Sequence, residues 1–485
     1  MSSKSRSGAD ERTPLLPDQP SSSDAQSPAR PCQSSSNAYT FFLNRRITPG
    51  TDSDRLAVKS GACLWHVAKV TLLSNYVNFL LVAVPLGIIA GAMAWGPVAV
   101  FTLNFLAIIP LAAVLSFATE EIAAKLGEAL GGLLSATLGN AVELIVSIIA
   151  LKDGQIEVVQ SSMLGSILSN LLLVMGTCFL LGGLRHRGSS GDGDQQEFTD
   201  AVAQTTCSLM TLSTASLVLP AALYAVMDQN GSHGKSTQHT ILILSHGTAV
   251  LLFILYVVYL IFQLRTHSNL FDAELQSAER RNAANCNGQD HNGQGQNTTG
   301  HHSQDGNTQP EEDEDDGPVI GPISAAIVLI VTTILVAICA QYLVGSIDAV
   351  VKKENISKTF IGLILIPIVG NAAEHVTAVV VAMRNKMDLA MGVAIGSSIQ
   401  IALGLTPFLV IVGWIMGQPM TLHFETFATV AFAISVLVAT YVIQDGKSNY
   451  LEGAMLIGLY IIIAVAFYVT PSDALHKVPT AVIRG

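Results

Sequence analysis

The chain opens with about sixty residues that are polar and rich in Ser, Pro and Asp, and then changes to long apolar runs separated by short polar breaks. The opening stretch has no hydrophobic periodicity and too little apolar surface to offset the entropy of ordering, so residues 1–60 are expected to form a disordered tail. Beyond it, runs of roughly 16 to 22 residues such as Val77 to Trp95, Val319 to Ala340 and Ile401 to Met416 can each cross most or all of a hydrocarbon core. About eleven spans are predicted, centred near Leu81, Leu106, Leu144, Leu171, Leu212, Leu252, Leu329, Leu365, Leu403, Ile434 and Leu459. The fold class is therefore an all-α polytopic membrane protein.

Composition agrees. Half of the residues are hydrophobic and only 13% are charged, against roughly 25% charged in soluble domains. The net charge of −11 is concentrated in the run Glu311-Glu312-Asp313-Glu314-Asp315-Asp316 and gives no reason to expect nucleic acid as a partner. Six cysteines stand singly, without the spacing of a zinc or redox motif. No early apolar segment suggests a cleaved signal peptide.

A polar insert divides the spans. The expected organisation is a cytosolic tail (1–60), a first transmembrane half (75–265), a cytosolic polar and acidic loop (266–317), a second half (318–471) and a C-terminal tail (472–485). Within the insert, Phe271 to Asn282 could hold a short helix. Arg45, Arg46, Arg185, Arg187, Arg384 and Lys386 fall on one side by this count, which places the N-terminus in the cytosol, while Lys352, Lys353 and Lys358 fall on the other. In the tail, Glu11 stands four residues before the pair Leu15-Leu16, the pattern of an acidic dileucine sorting signal read by adaptors.

The chemistry lies in a repeat. Gly139-Asn140-Ala141-Val142-Glu143 returns as Gly370-Asn371-Ala372-Ala373-Glu374, 231 residues later, and the same offset carries Gly165-Ser166 onto Gly396-Ser397. By the span count, Glu143 and Glu374 lie in segments of opposite direction. Inverted repeats with glycine-interrupted helices are how secondary transporters build a midplane ion site. A carboxylate at membrane depth costs at least about 2.5–3.5 kcal/mol and requires a partner, a proton or a cation. Neither motif contains Lys or Arg, so proton or cation remains. Asn140 and Asn371, at i−3 from each glutamate, can add amide oxygens, with Ser166 and Ser397 as further candidates. An all-oxygen set of this kind suits Ca²⁺, which accepts six to eight oxygens in flexible geometry. Glu120 and His375 are candidates for a proton path; Glu121 and Asp348 read as solvated helix ends.

The segments GNAVELIVSIIALKDG with GSILSN, and GNAAEHVTAVVVAMRNKMDLAMGVAIGSSIQ, resemble the cation/proton exchanger family of the calcium/cation antiporters, and the vacuolar calcium/proton exchangers within it. The resemblance runs from about Asn75 to Pro471. It implies one N-terminal helix plus two inverted five-helix repeats, and Ca²⁺ uptake into the vacuole driven by protons leaving it. Glu143 and Glu374 would be the shared cation and proton site, completed by Asn140, Asn371 and the backbone at Gly139 and Gly370. The run Glu311 to Asp316 would match a Ca²⁺-sensing segment. Two departures stand out: Gln341 sits where the family is expected to carry an acid, and Gly404-Leu405 replaces a bulkier, aromatic-containing stretch.

An enzyme is not expected, because HExxH, G-x-S-x-G and paired intramembrane aspartates are all missing from the sequence. No cofactor is implied beyond Ca²⁺ and protons as cargo. Mn²⁺/H⁺ or Na⁺/Ca²⁺ exchange on the same scaffold stays open, as does a homo-oligomer.

Overall fold

A computed structural model describes residue 48 and residues 55–186, 195–198, 200–229, 235–267 and 319–470. The acidic run 311–316, the dileucine pattern at 11–16 and the segment 271–282 lie outside the described residues.

The described chain is helical apart from one two-residue antiparallel pairing. Helix α1 (Leu56–Leu73) leads through a 3₁₀ segment (Tyr76–Val82) into α2 (Ala83–Ala92), then α3 (Pro97–Leu126), α4 (Glu128–Leu138) and α5 (Ala141–Lys152). Next come α6 (Ile156–Arg185), α7 (Asp200–Gln229) and α8 (Lys235–Ile261). The second half holds α9 (Pro322–Glu354), α10 (Lys358–Gly370), α11 (Ala372–Met383), α12 (Met387–Met416), α13 (Thr426–Ile443) and α14 (Tyr450–Val469).

Local chemistry sets several of these boundaries. Pro97 and Pro322 occupy the first turns of α3 and α9, where a missing N–H costs nothing. Gly417 closes α12 at φ 71°, and Asn449 with Glu452 forms a capping box that starts α14.

Among the described residues, seven helices are long and apolar enough to cross a membrane, or up to ten units if each bent pair is one span. The expected eleventh, around Leu212, falls in α7, whose qualifying apolar stretch is only Cys207–Leu223, so the count of eleven is not reached by that measure. The N-terminal tail also needs correction. Helix begins at Leu56, inside the stretch expected to be disordered, because the mixed apolar and basic run from Leu56 buries one side against the bundle at Lys69 and Val70.

The duplication is structural as well as sequential. Shifting α5 by 231 residues reproduces the bounds of α11. The π-helical segment Ser169–Val174 inside α6 maps in the same way onto Gln400–Leu405 inside α12. π-bulges of this kind are frequent at functional sites. Once the extra N-terminal segment through α2 is set aside, each repeat opens on one long helix, α3 with 30 residues and α9 with 33.

Close backbone approaches lock the halves together. A Cβ at Gly165 of α6 would lie 2.6 Å from the carbonyl carbon of Leu363 in α10, so only glycine lets these helices meet. Gly176 of α6 and Gly453 of α14 make a similar crossing, with Gly453 O 3.0 Å from where a Gly176 Cβ would stand.

The connections sort into two ends of the bundle. At one end, Lys125 Nζ donates to Ile320 O (2.8 Å), Gln196 Nε2 donates to Asn385 Oδ1 (2.8 Å), and strand β1 (Gln196–Glu197) pairs with β2 (Lys447–Ser448). At the other, Lys358 Nζ pairs with Asp348 (2.6 Å), Thr359 Oγ1 donates to Glu157 (2.8 Å), and Gln160 Nε2 reaches Thr421 O (2.9 Å). Successive connections alternate between these ends, as a chain that crosses a membrane repeatedly requires.

Candidate functional site

Each repeated motif sits where its helix breaks. The axis turns by 44° between α4 and α5 and by 57° between α10 and α11. Asn140 (φ −95°, ψ 24°) and Asn371 (φ −87°, ψ 4°) occupy the breaks, both near the sparsely populated bridge region. Glu143 and Glu374 follow in the first turn of the new helix. The i−3 pairing of Asn with Glu is thus not two points on one continuous helix, as the sequence spacing suggested. Each Asn stands at the N-cap position of the half-helix whose first turn holds the Glu, without a side-chain capping hydrogen bond, and the positive end of that half-helix favours the carboxylate by about 0.3–1 kcal/mol.

The two motifs reach across to each other. The Glu143 carboxylate packs on Gly370: a Cβ there would lie 2.9 Å from Glu143 Cδ and closer still to Oε1. Reciprocally, Glu374 Oε1 lies 3.9 Å from where a Gly139 Cβ would stand. Glu143 is 5% exposed; Glu374 keeps partial exposure, but its Oε2 is buried without a hydrogen-bond partner. Each glutamate therefore meets the glycine that opens the other half's motif.

Amide and hydroxyl groups surround the carboxylates. Ser397 Oγ donates to Asn140 Oδ1 (3.1 Å), Asn140 Nδ2 donates to Gln400 Oε1 (2.8 Å), and Asn170 Nδ2 donates to Ser397 Oγ (3.0 Å). On the other side Asn371 Nδ2 donates to the carbonyl of Ser166 (3.2 Å). Of the twelve buried side-chain polar atoms without a partner among the described residues, four belong to these elements and can accept: Glu374 Oε2, Asn371 Oδ1, Asn170 Oδ1 and Ser166 Oγ. These four stand on the elements that carry the two repeated motifs, where they leave oxygens available to a cation or a proton. Oxygen is the ligand type throughout, and among the described residues no group of three or more His, Cys, Asp or Glu gathers here or anywhere else, so a cation held here would rest on two carboxylates with amide, hydroxyl and carbonyl oxygens.

Of the residues expected from sequence, Gly139, Asn140, Glu143, Ser166, Gly370, Asn371, Glu374 and Ser397 are brought together. Glu120 is exposed and accepts from Ser116 Oγ (3.0 Å). His375 shares its Nε2 with Thr177 Oγ1 (2.8 Å), a partner on α6.

Glu121 is not a solvated helix end. It is 7% exposed and accepts from the backbone N–H of Val319 (3.1 Å) and Ile320 (2.9 Å), because the chain entering α9 has donors that need acceptors. Asp348 is half exposed but ion-paired with Lys358 and bonded by Gln155 Nε2 (2.8 Å).

Asn170 and Gln400 were missed as site residues, although both lie inside the quoted motif segments. Their signal was spacing: Asn170 is four residues after Ser166 and Gln400 three after Ser397, one helical turn on. At Gly404, the aromatic bulk comes from a neighbouring helix. The Tyr256 ring fills the space, and a Cβ there would lie 2.9 Å from its Cε1 and Cζ.

The chain matches the sodium/calcium exchanger protein family over residues 96–265 and 324–469. It is 46% identical over 405 residues to the vacuolar calcium ion transporter of Schizosaccharomyces pombe, covering 84% of this chain and 87% of that protein. It is 43% identical over 397 residues to the Ca²⁺/H⁺ antiporter of Aphanothece halophytica, covering 81% and 96%. Among solved structures, native YfkE superposes with a TM-score of 0.62 at 32% identity, covering 81% of this chain and all of that one. With its duplicated halves, paired intramembrane glutamates and these relatives, the chain belongs to the sodium/calcium exchanger protein family.

Proposed function

We propose that this protein is a secondary antiporter that moves Ca²⁺ into an acidic vacuole in exchange for protons, with Glu143 and Glu374 sharing one ion site. The observation that carries the reading is the reciprocal seating of each carboxylate on the other half's glycine, beside Asn371 Oδ1, Asn170 Oδ1 and Ser166 Oγ. The relatives named as a vacuolar calcium transporter and a Ca²⁺/H⁺ antiporter support the cargo and the compartment.

The coupling follows from electrostatics. Two ionised carboxylates facing each other in a water-poor site repel, so the empty site takes up either protons or a divalent cation. Each excludes the other. One pH unit across the membrane is worth about 1.36 kcal/mol per proton, so more than one proton per Ca²⁺ allows uphill accumulation. In this reading the halves 75–265 and 318–471 rearrange about the shared site, and the N-terminus and the loop 266–317 face the cytosol. The acidic run Glu311 to Asp316 responds to cytosolic Ca²⁺, and Glu11, Leu15 and Leu16 direct sorting.

Proton-driven ⁴⁵Ca²⁺ uptake into reconstituted vesicles tests the proposal. Uptake should require an acidic interior, vanish when the pH gradient is collapsed, and ignore Na⁺. Uptake driven by a Na⁺ gradient instead would assign the chain to Na⁺/Ca²⁺ exchange, and a preference for Mn²⁺ in competition would reassign the cargo.

A further inference from the structure

Helix α1 does not stack beside α2. The pair is bent by 112° at the break after Leu73. If the following segment crosses the bilayer near its normal, α1 lies about 22° from the membrane plane, the excess of 112° over a right angle. Its sequence suits that position: Arg55 at its N-cap, Lys59, His66 and Lys69 are basic, acids are missing, and Trp65 is 38% exposed.

Beneath α1 is a cavity of about 730 Å³, within the usual range of roughly 300–1,000 Å³ for ligand sites. Its roof is one face of α1, with lining residues at spacings of three and four from Ser60 to Leu72. The walls come from Leu111 and Val114 of α3 and from α9 between Ser324 and Leu335. None of the lining residues is charged.

The dimensions identify the occupant. From Ser324 to Leu335 the wall runs eleven residues along α9, about 16 Å at 1.5 Å per residue. That is about half of a hydrocarbon core of about 30 Å, the depth of one leaflet. Lys59, exposed and adjacent to the lining residue Ser60, stands on the surface-lying helix at the roof. A cavity one leaflet deep, apolar along its length and roofed by a basic interfacial helix, matches a phospholipid with an anionic headgroup.

We propose that the groove between α1, α3 and α9 is a binding site for one anionic phospholipid, with an acyl chain along α9 and the headgroup phosphate at Lys59. Because α3 belongs to the first half and α9 to the second, the lipid would bridge the halves and α1.

Native mass spectrometry of the full chain, released from nanodiscs of equal phosphatidylserine and phosphatidylcholine, tests this. The unaltered protein should keep one phosphatidylserine per chain, in at least several-fold preference to phosphatidylcholine. Ala68→Trp, which fills the groove from the roof, should lose it, and Val331→Trp should do the same from the opposite wall. Lys59→Gln, an exposed change, should keep a lipid but lose the anionic preference. Melting temperature and ⁴⁵Ca²⁺ uptake identify variants that are folded. Unchanged lipid retention in a folded Ala68→Trp or Val331→Trp protein would overturn the proposal. So would equal retention of both lipids by the unaltered protein, or lipid binding that emerges only when residues before Thr48 are removed, which would make the chain's own tail the occupant.

Discussion

The Glu143 carboxylate rests on Gly370, the first residue of the other half's motif, with Cδ 2.9 Å and Cγ 3.3 Å from where a Cβ would be. This one contact makes each half incomplete without the other. Gly370→Ala would push Glu143 out of its place, at an overpacking cost of about 1–3 kcal/mol. The expected result is a loss of Ca²⁺ affinity of about thirtyfold if a cost near the middle of that range falls on binding, read as a raised KM for ⁴⁵Ca²⁺ uptake by a protein that still folds.

The paired glycines Gly165 and Gly396 should behave differently despite their identical motif positions. A Cβ at Gly165 runs into the Leu363 backbone, whereas Gly396 has open space around it. Gly165→Ala should destabilise by about 1–3 kcal/mol. Gly396→Ala should be neutral, or stabilise by about 0.5–1 kcal/mol through helix propensity. Thermal unfolding of the two variants in detergent checks the contrast.

The fold's plan was legible from sequence because its signals are local or repeat at a fixed interval. Apolar runs gave the spans, and the interval of 231 residues placed Glu143 and Glu374 in equivalent positions before any contact was known. Partners set by tertiary packing were not legible. Nothing beside Asn140 in the chain announces that its amide bonds Gln400, and nothing beside Glu121 announces that it holds residues 319 and 320. The bend after Leu73 was missed for a similar reason, since a helix that lies on a membrane and one that crosses it can share an apolar face.

Glu121 gives a stability prediction. Its replacement by Ala leaves the Val319 and Ile320 N–H groups without acceptors, at about 1–3 kcal/mol each where burial is complete. Glu121→Ala should lower the melting temperature clearly, and Glu121→Gln, which keeps one acceptor oxygen, should fall between.

His423 lies in the connection between α12 and α13, at the same end as Lys358. Burial holds its imidazole below the usual range. The unfolded chain therefore binds this proton more readily than the folded one, so stability is present above about pH 6.5, the unfolded value, and declines as pH falls below it. His423→Asn should flatten this part of the pH dependence of unfolding, measured between pH 5 and 7.5.

The central claim is that two carboxylates, one from each half, hold either one divalent cation or protons. Equilibrium ⁴⁵Ca²⁺ binding to the purified protein across a pH series tests it most directly, for the unaltered chain, Glu143→Gln and Glu374→Gln. The account predicts saturable binding that disappears on acidification in the unaltered protein and is lost in both folded variants at every pH. Binding that survives either substitution at full affinity, or that does not respond to pH, would contradict it.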